Sequence, residues 1–163
     1  MNSFISDLHI HSRFSMATSK QLTVPHLCGW AMVKGINVLG TGDFTHPKWR
    51  QELRDNLVFD EETGFYRPTA SPEPVFPDLA SSPARPPYFC LQTEISSIYK
   101  RGGKVRKVHN LVFMPTLEDA DRFSEKLGQI GNINSDGRPI LGLDSADLLD
   151  LVLNTCPRAF FIP

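Results

Sequence analysis

Between Ser3 and Leu57 the chain twice alternates a short apolar run with a helical run that carries an early proline, and this rhythm restricts it to α/β architectures. Ser3 to His11 reads as a strand, with Phe4, Leu8 and Ile10 apolar. Val24 to Gly35 reads as a helix: Thr23 suits the N-cap, Pro25 falls in the first turn, and Gly35 ends it. Ile36 to Gly40 predicts a second, buried strand, and residues 47–57 a second helix opened by Pro47. Helices placed between strands predict parallel pairing.

Seven prolines between Pro68 and Pro87 then break the rhythm, so residues 60–87 are expected to form an irregular, mobile insertion. Val75, Phe76 and Leu79 should add little to the core. Order returns with a strand over Tyr88 to Ile95 and a hairpin over 96–115, turning at Gly102-Gly103, with Val108, Leu111, Val112 and Phe113 in its return strand. Helices are predicted over 117–129 and 145–155, the second opened by Asp144-Ser145-Ala146-Asp147, which is similar to a capping box. There is no internal repeat. The final run, Pro157 to Pro163, reads as a buried strand, an unusual place for a domain to stop, and predicts that residues 1–163 are the N-terminal part of a longer domain.

A length of 163 residues suits one domain with a real core, and 40% hydrophobic with 21% charged residues is ordinary for a globular protein. A net charge of −1 does not advertise nucleic-acid binding, so any DNA affinity has to come from local patches. Cys28, Cys90 and Cys156 are odd in number and set in apolar surroundings, which predicts reduced, buried thiols in the cytoplasm. No signal peptide and no apolar run near the roughly 20 residues of a membrane span is visible, so no membrane partner is expected.

Asp7-Leu8-His9-Ile10-His11-Ser12 is the strongest chemical signal. Two histidines at i and i+2 on a strand project from one face and can reach one metal ion, and Asp7 can orient a ligand from behind. An HxH pair also suits a plain polar face. Three further residues bear on the choice. Gly40-Thr41-Gly42-Asp43 places a carboxylate at the C-terminal end of the second strand, Gln92-Thr93-Glu94 places another at the end of the third, and Val108-His109-Asn110 adds an imidazole on a further strand. In parallel α/β folds, ligands from separate strands converge at the C-terminal ends. Read singly, Asp43 suits a helix N-cap, Glu94 a surface acid and His109 a satisfied core histidine. Their joint placement argues for a shared metal site.

DLHIHS, a turn of T-[GD]-[DH] type, a Glu-bearing strand and a His-bearing strand together resemble the PHP (polymerase and histidinol phosphatase) family over essentially the whole chain. GTGDFTHPKW and SDGRPILGLD resemble its endonuclease Q branch. The resemblance implies a distorted β/α barrel of the PHP type, incomplete here, with parallel strands and a β-hairpin. It implies two or three divalent metal ions (zinc, manganese or iron), fewer in this chain, and metal-dependent nicking of DNA that contains deaminated bases. Carried over, His9 and His11 bind the first metal, Asp43 takes the place of a TDH histidine, Glu94 bridges two metals, and His109 serves a third. Asp43 and Glu94 would be the catalytic carboxylates. No histidine follows closely after His11, where Met16, Ala17 and Thr18 stand, which leaves His46 as a weak substitute. The family's later histidine and Asp-x-His pair have no counterpart before Pro163, so weak metal binding and slow nicking are expected.

Lys100, Arg101, Lys104, Arg106 and Lys107 cluster around the predicted hairpin turn and suit a phosphate backbone as well as a solvated turn. Arg13 and Lys20, after the HxH strand, are further candidates for phosphate contact, whereas His26 reads as structural. Lesion-containing DNA is the expected partner, with oligomeric state open. The rival readings are a PHP phosphatase acting on a small phosphate ester, and a non-catalytic metal-binding fragment.

Overall fold

The caps foreseen from the sequence set the helix limits. Thr23 accepts from the His26 amide at the start of α1 (Val24–Lys34), and Gly35 ends it in the left-handed region at φ 69°. α2 spans Pro47–Asn56, and α3 spans Leu117–Ile130 behind Thr116, whose hydroxyl accepts from the Asp119 amide. α4 spans Ser145–Thr155, with the Asp144 carboxylate accepting from the Ala146 amide.

The computed structural model describes residues 3–75 and 85–163. Within them one mixed sheet of eight strands runs through the molecule. β1 (Ser6–Asp7), β2 (Val38–Gly40) and β5 (Tyr88–Arg101) are parallel neighbours, as predicted, and β7 (Ile140–Leu141) also runs parallel to β5. The remaining pairings are antiparallel. β3 (Leu57–Asp60) and β4 (Phe65–Pro68) form a hairpin that meets β5 at Phe89, β6 (Lys104–Met114) folds back on β5, and β8 (Phe160–Ile162) pairs with β6. The expected parallel strands and the expected β-hairpin thus share one mixed sheet. Among the described residues β1 pairs with β2 alone and β8 with β6 alone, so no closed barrel is formed.

Two local expectations also change. Residues 60–68 belong to the β3–β4 hairpin rather than to an irregular loop, because Phe65 and Tyr66 supply β-forming side chains across from Phe59 and Asp60. The chain then docks on α1: the Glu73 amide donates to the Pro25 carbonyl, and Val75 is half-buried. Phe76 and Leu79 lie outside the described residues. The second change concerns β8, which was expected to be buried. Phe160 is 69% exposed and Ile162 43%, and with Phe4, Leu8, Val38 and Phe113 they line an open apolar groove of about 520 Å³.

The core sits between the sheet and the helices, where Trp49, Leu53, Phe89, Leu91, Ile95, Phe123, Leu127, Leu148 and Val152 are almost fully buried. Burial of such side chains is the main favourable term in folding. Cys28 and Cys156 are buried and Cys90 half-buried, all three as free thiols, and burial pushes the Cys28 thiol up to about 12. No described helix is long and apolar enough to cross a membrane.

Candidate metal centre

Glu94 sits at the middle of β5 and not at its end as expected, because the strand runs on to Arg101; it is 1% exposed, and its carboxylate meets residues from three other segments. Its Oε2 lies 2.6 Å from His9 Nε2 and 3.5 Å from His11 Nε2. Its Oε1 lies 2.6 Å from His109 Nδ1 and 3.6 Å from an Arg138 guanidinium nitrogen. His9, His11 and Glu94 bring one ligand atom each within 4.8 Å of one another. Such a set of nitrogen and oxygen donors suits a divalent transition metal.

The two histidines reach this point by a route that the sequence pattern only half foresaw. β1 ends at Asp7, so His9 and His11 stand on the extended segment just past the strand. They keep the i, i+2 relation and share a face, with ring centroids 5.7 Å apart. Gly42, at φ 65°, lets the following turn approach them: a Cβ there would stand 2.8 Å from the Ile10 carbonyl oxygen. Asp43 follows at φ 50°, a conformation that Asp tolerates better than most residues.

Asp43, expected as a ligand, lies beside His11 and outside the group formed by His9, His11 and Glu94. It is fully buried, its Oδ2 accepts from the Ser12 amide, the Ser12 hydroxyl and the Ser15 hydroxyl, and its Oδ1 is 3.1 Å from His11 Nδ1. This carboxylate thus ties the 12–15 loop together and contacts His11. Among the described residues no hydrogen bond joins the Asp7 carboxylate to His9 or His11, and the carboxylate that meets His11 Nδ1 is that of Asp43.

The Asp43 contact has an electrostatic consequence. An ionised carboxylate only accepts, so His11 Nδ1 carries the proton and a neutral ring leaves an Nε2 lone pair facing Oε2 of Glu94. Two lone pairs facing each other need a proton or a cation between them. In its absence the hydrogen bond to Asp43 raises the His11 pKa above its ordinary value of 6.5, against the opposing effect of burial. Glu94 Oε1 makes the same demand, because it is buried without a hydrogen bond of good geometry. The donor set therefore fits a cation.

Other candidates are spread around this centre. His46 stacks on Phe14 at 4.4 Å and its Nε2 is 3.0 Å from the Asn134 carbonyl oxygen, so it supports the loops and does not join the cluster. Arg13 is paired with Glu52 at 2.7 Å, and the Lys20 ammonium donates to the Arg13 carbonyl. His26 is structural as expected, accepting from the Trp30 indole. The basic hairpin divides by strand alternation. Lys107 and Lys100 share the Glu94 and His109 face, whereas Arg101, Lys104 and Arg106 lie on the other, with Arg101 3.2 Å from Asp144.

Sequence reasoning missed Arg138, Ser12 and Ser15. An Asp-Gly pair at 136–137 is a turn-forming signal, but nothing local shows that this loop packs on the HxH segment.

No family model matches the chain. An uncharacterized protein of Methanocaldococcus jannaschii is 30% identical over 147 residues, which cover 90% of this chain and 14% of that protein. Among solved structures, the lesion-specific endonuclease PfuEndoQ from Pyrococcus furiosus aligns with a TM-score of 0.72 at 30% identity, over 96% of this chain. The fold is endonuclease Q-like. A second endonuclease Q structure, in complex with a 27-mer duplex substrate with an abasic lesion at the active site, aligns at 0.71, also with 30% identity and 96% coverage. The chain spans 33% of the length of these two endonuclease Q chains.

Proposed function

We propose that this chain carries part of the metal site of a PHP-type, metal-dependent DNA repair endonuclease that cleaves phosphodiester bonds beside base lesions, deaminated bases among them. The observation that carries the reading is the division of the Glu94 carboxylate, one oxygen toward His9 and His11 and the other toward His109. A carboxylate so divided is placed to serve two cations. The endonuclease Q-like fold supports DNA as the substrate.

His9, His11 and Glu94 would hold one divalent ion, with His109 and the second Glu94 oxygen serving another. Bound there, such ions supply activation of water and neutralisation of charge on the phosphoryl group. The chain's own residues do the rest. Asp43 keeps the His11 proton on Nδ1, so that Nε2 faces the site. Ser12 and Ser15 hold Asp43 in turn, and Lys107 places a positive charge on the same face. Zinc, manganese and iron all suit these donors, with availability deciding among them.

The test is a manganese or zinc titration of the chain, followed by a nicking assay on duplexes bearing uracil or an abasic site, beside a His9→Ala control. Saturable metal binding lost in the control, with any nicking lost alongside, is the expected result. Absence of metal binding in the native chain would refute the reading.

A further inference from the structure

Among the described residues, Arg138 is the one basic side chain held next to Glu94 with its hydrogen-bonding capacity unspent. One guanidinium nitrogen stands 3.6 Å from Oε1, beyond hydrogen-bond length, and the group donates to no partner among the described residues. Its side chain is 37% exposed, so it is open to a ligand while its charge faces the candidate metal centre.

Its backbone, by contrast, is tied down on both sides. The Gly137 amide donates to the Phe14 carbonyl, and the Arg138 amide donates to the Asp136 carboxylate. The Ser96 amide donates to the Pro139 carbonyl, and Ile140 then pairs with Ser96 on β5. Residue 137 has no room for a side chain, because a Cβ would meet Asp43 Oδ2 at 2.3 Å and Ser15 Oγ at 2.7 Å. The loop is thus pressed against the groups that orient His11, and Arg138 is delivered to the flank of β5 opposite His109.

A cation whose backbone is locked and whose donors are idle is built for an anion that arrives later. The planar guanidinium can offer two parallel N–H donors to a phosphate, which an ammonium cannot. We infer that Arg138 contacts the phosphodiester at the metal centre, gripping non-bridging oxygens from the β7 flank. This rests on the metal-dependent phosphodiesterase reading. The competing role is a plain counter-ion for Glu94, which would steady the site without touching substrate.

The experiment compares the manganese-loaded chain with its R138Q and R138K variants, and with K126Q on α3 as a remote charge control. Manganese affinity, thermal stability and affinity for a duplex with an abasic site are measured, the last across about 50 to 200 mM salt. The expected result for R138Q is manganese affinity and stability near the native values with DNA affinity about 10-fold lower or more, the scale of one charge-assisted hydrogen bond. The slope of log affinity against log salt should fall by about 0.9, while R138K keeps the slope and loses part of the affinity. DNA binding by R138Q at the native level overturns the inference, as does a loss of DNA binding that merely tracks lost manganese or lost stability. If R138Q does not fold, R138K decides: unchanged DNA affinity rejects the guanidinium grip, and a several-fold loss with intact manganese binding supports it. A native chain that binds manganese but not DNA removes the function reading together with this inference, whereas an effect confined to Arg138 leaves that reading standing.

Discussion

Asp43 and Gly137 touch across most of the length of the chain: a Cβ on residue 137 would stand 2.3 Å from the Asp43 Oδ2 atom. That oxygen already accepts three hydrogen bonds, so it cannot swing aside freely. Gly137→Ala should therefore destabilise the fold by about 1–3 kcal/mol, the usual scale of overpacking. Urea unfolding of the two proteins measures it, and equal midpoints would show that the loop yields without strain.

Asp43→Asn should separate stability from metal binding. The Asn carbonyl can still accept from Ser12 and Ser15, which leaves the NH2 group facing His11 Nδ1. His11 must then accept there and carry its proton on Nε2, the atom that faces Glu94. We expect a loss of about 1–3 kcal/mol from weakening charge-assisted bonds. Manganese affinity should fall by about 10- to 100-fold, as when an outer partner of a ligand is removed. Calorimetric titration tests it, and native affinity would deny Asp43 its orienting role.

The metal-free chain should show two opposed pH effects. Burial lowers the His46 pKa below 6.5, so its contribution is full above that value and is lost as pH falls through the folded pKa. The Asp43 hydrogen bond raises the His11 pKa above 6.5, so its contribution is full below that value and is lost as pH rises through the folded pKa. Tm measured from about pH 5 to 8 should lose its acid slope in His46→Gln and its alkaline slope in Asp43→Asn. Unchanged slopes in both variants would refute the assignments.

Strand alternation predicts that the basic hairpin is one-sided toward DNA. Lys107→Gln should lower duplex affinity and reduce the salt slope by about 0.9, whereas Arg106→Gln, on the opposite face, should change neither. Equal losses would mean that the hairpin tip itself, not one face, meets the backbone.

Much of this was legible in the residues. Helix limits came through because Thr23, Gly35, Asp144 and the early prolines act locally, within one turn of the chain. His9, His11, Glu94 and His109 do come together around one carboxylate, and the i, i+2 spacing of the two histidines was the local signal that pointed there. The position of Asp43 was legible and its contacts to Ser12 and Ser15 were not, since a carboxylate beside a metal and a carboxylate behind a ligand look alike in sequence. Arg138 was hidden for a related reason: its distance to Glu94 depends on β7 pairing with β5, a contact that no local signal encodes. The place of β8 beside β6 was not legible, because that pairing joins distant segments.

The position of Glu94 on β5 also bears on how the chain folds. β5 recruits β2 from before it, β6 beside it, and β7 from beyond an intervening helix, while His9 reaches Glu94 across 85 residues. Contacts of such long sequence separation are slow to form, because the chain loses loop entropy before they stabilise anything. Helices α1 to α4 can flicker early, but the ligands cannot meet until the N-terminal segment has docked on the finished strand. Recovery of manganese binding during refolding should therefore trail the far-ultraviolet helix signal, and coincide with the last kinetic phase.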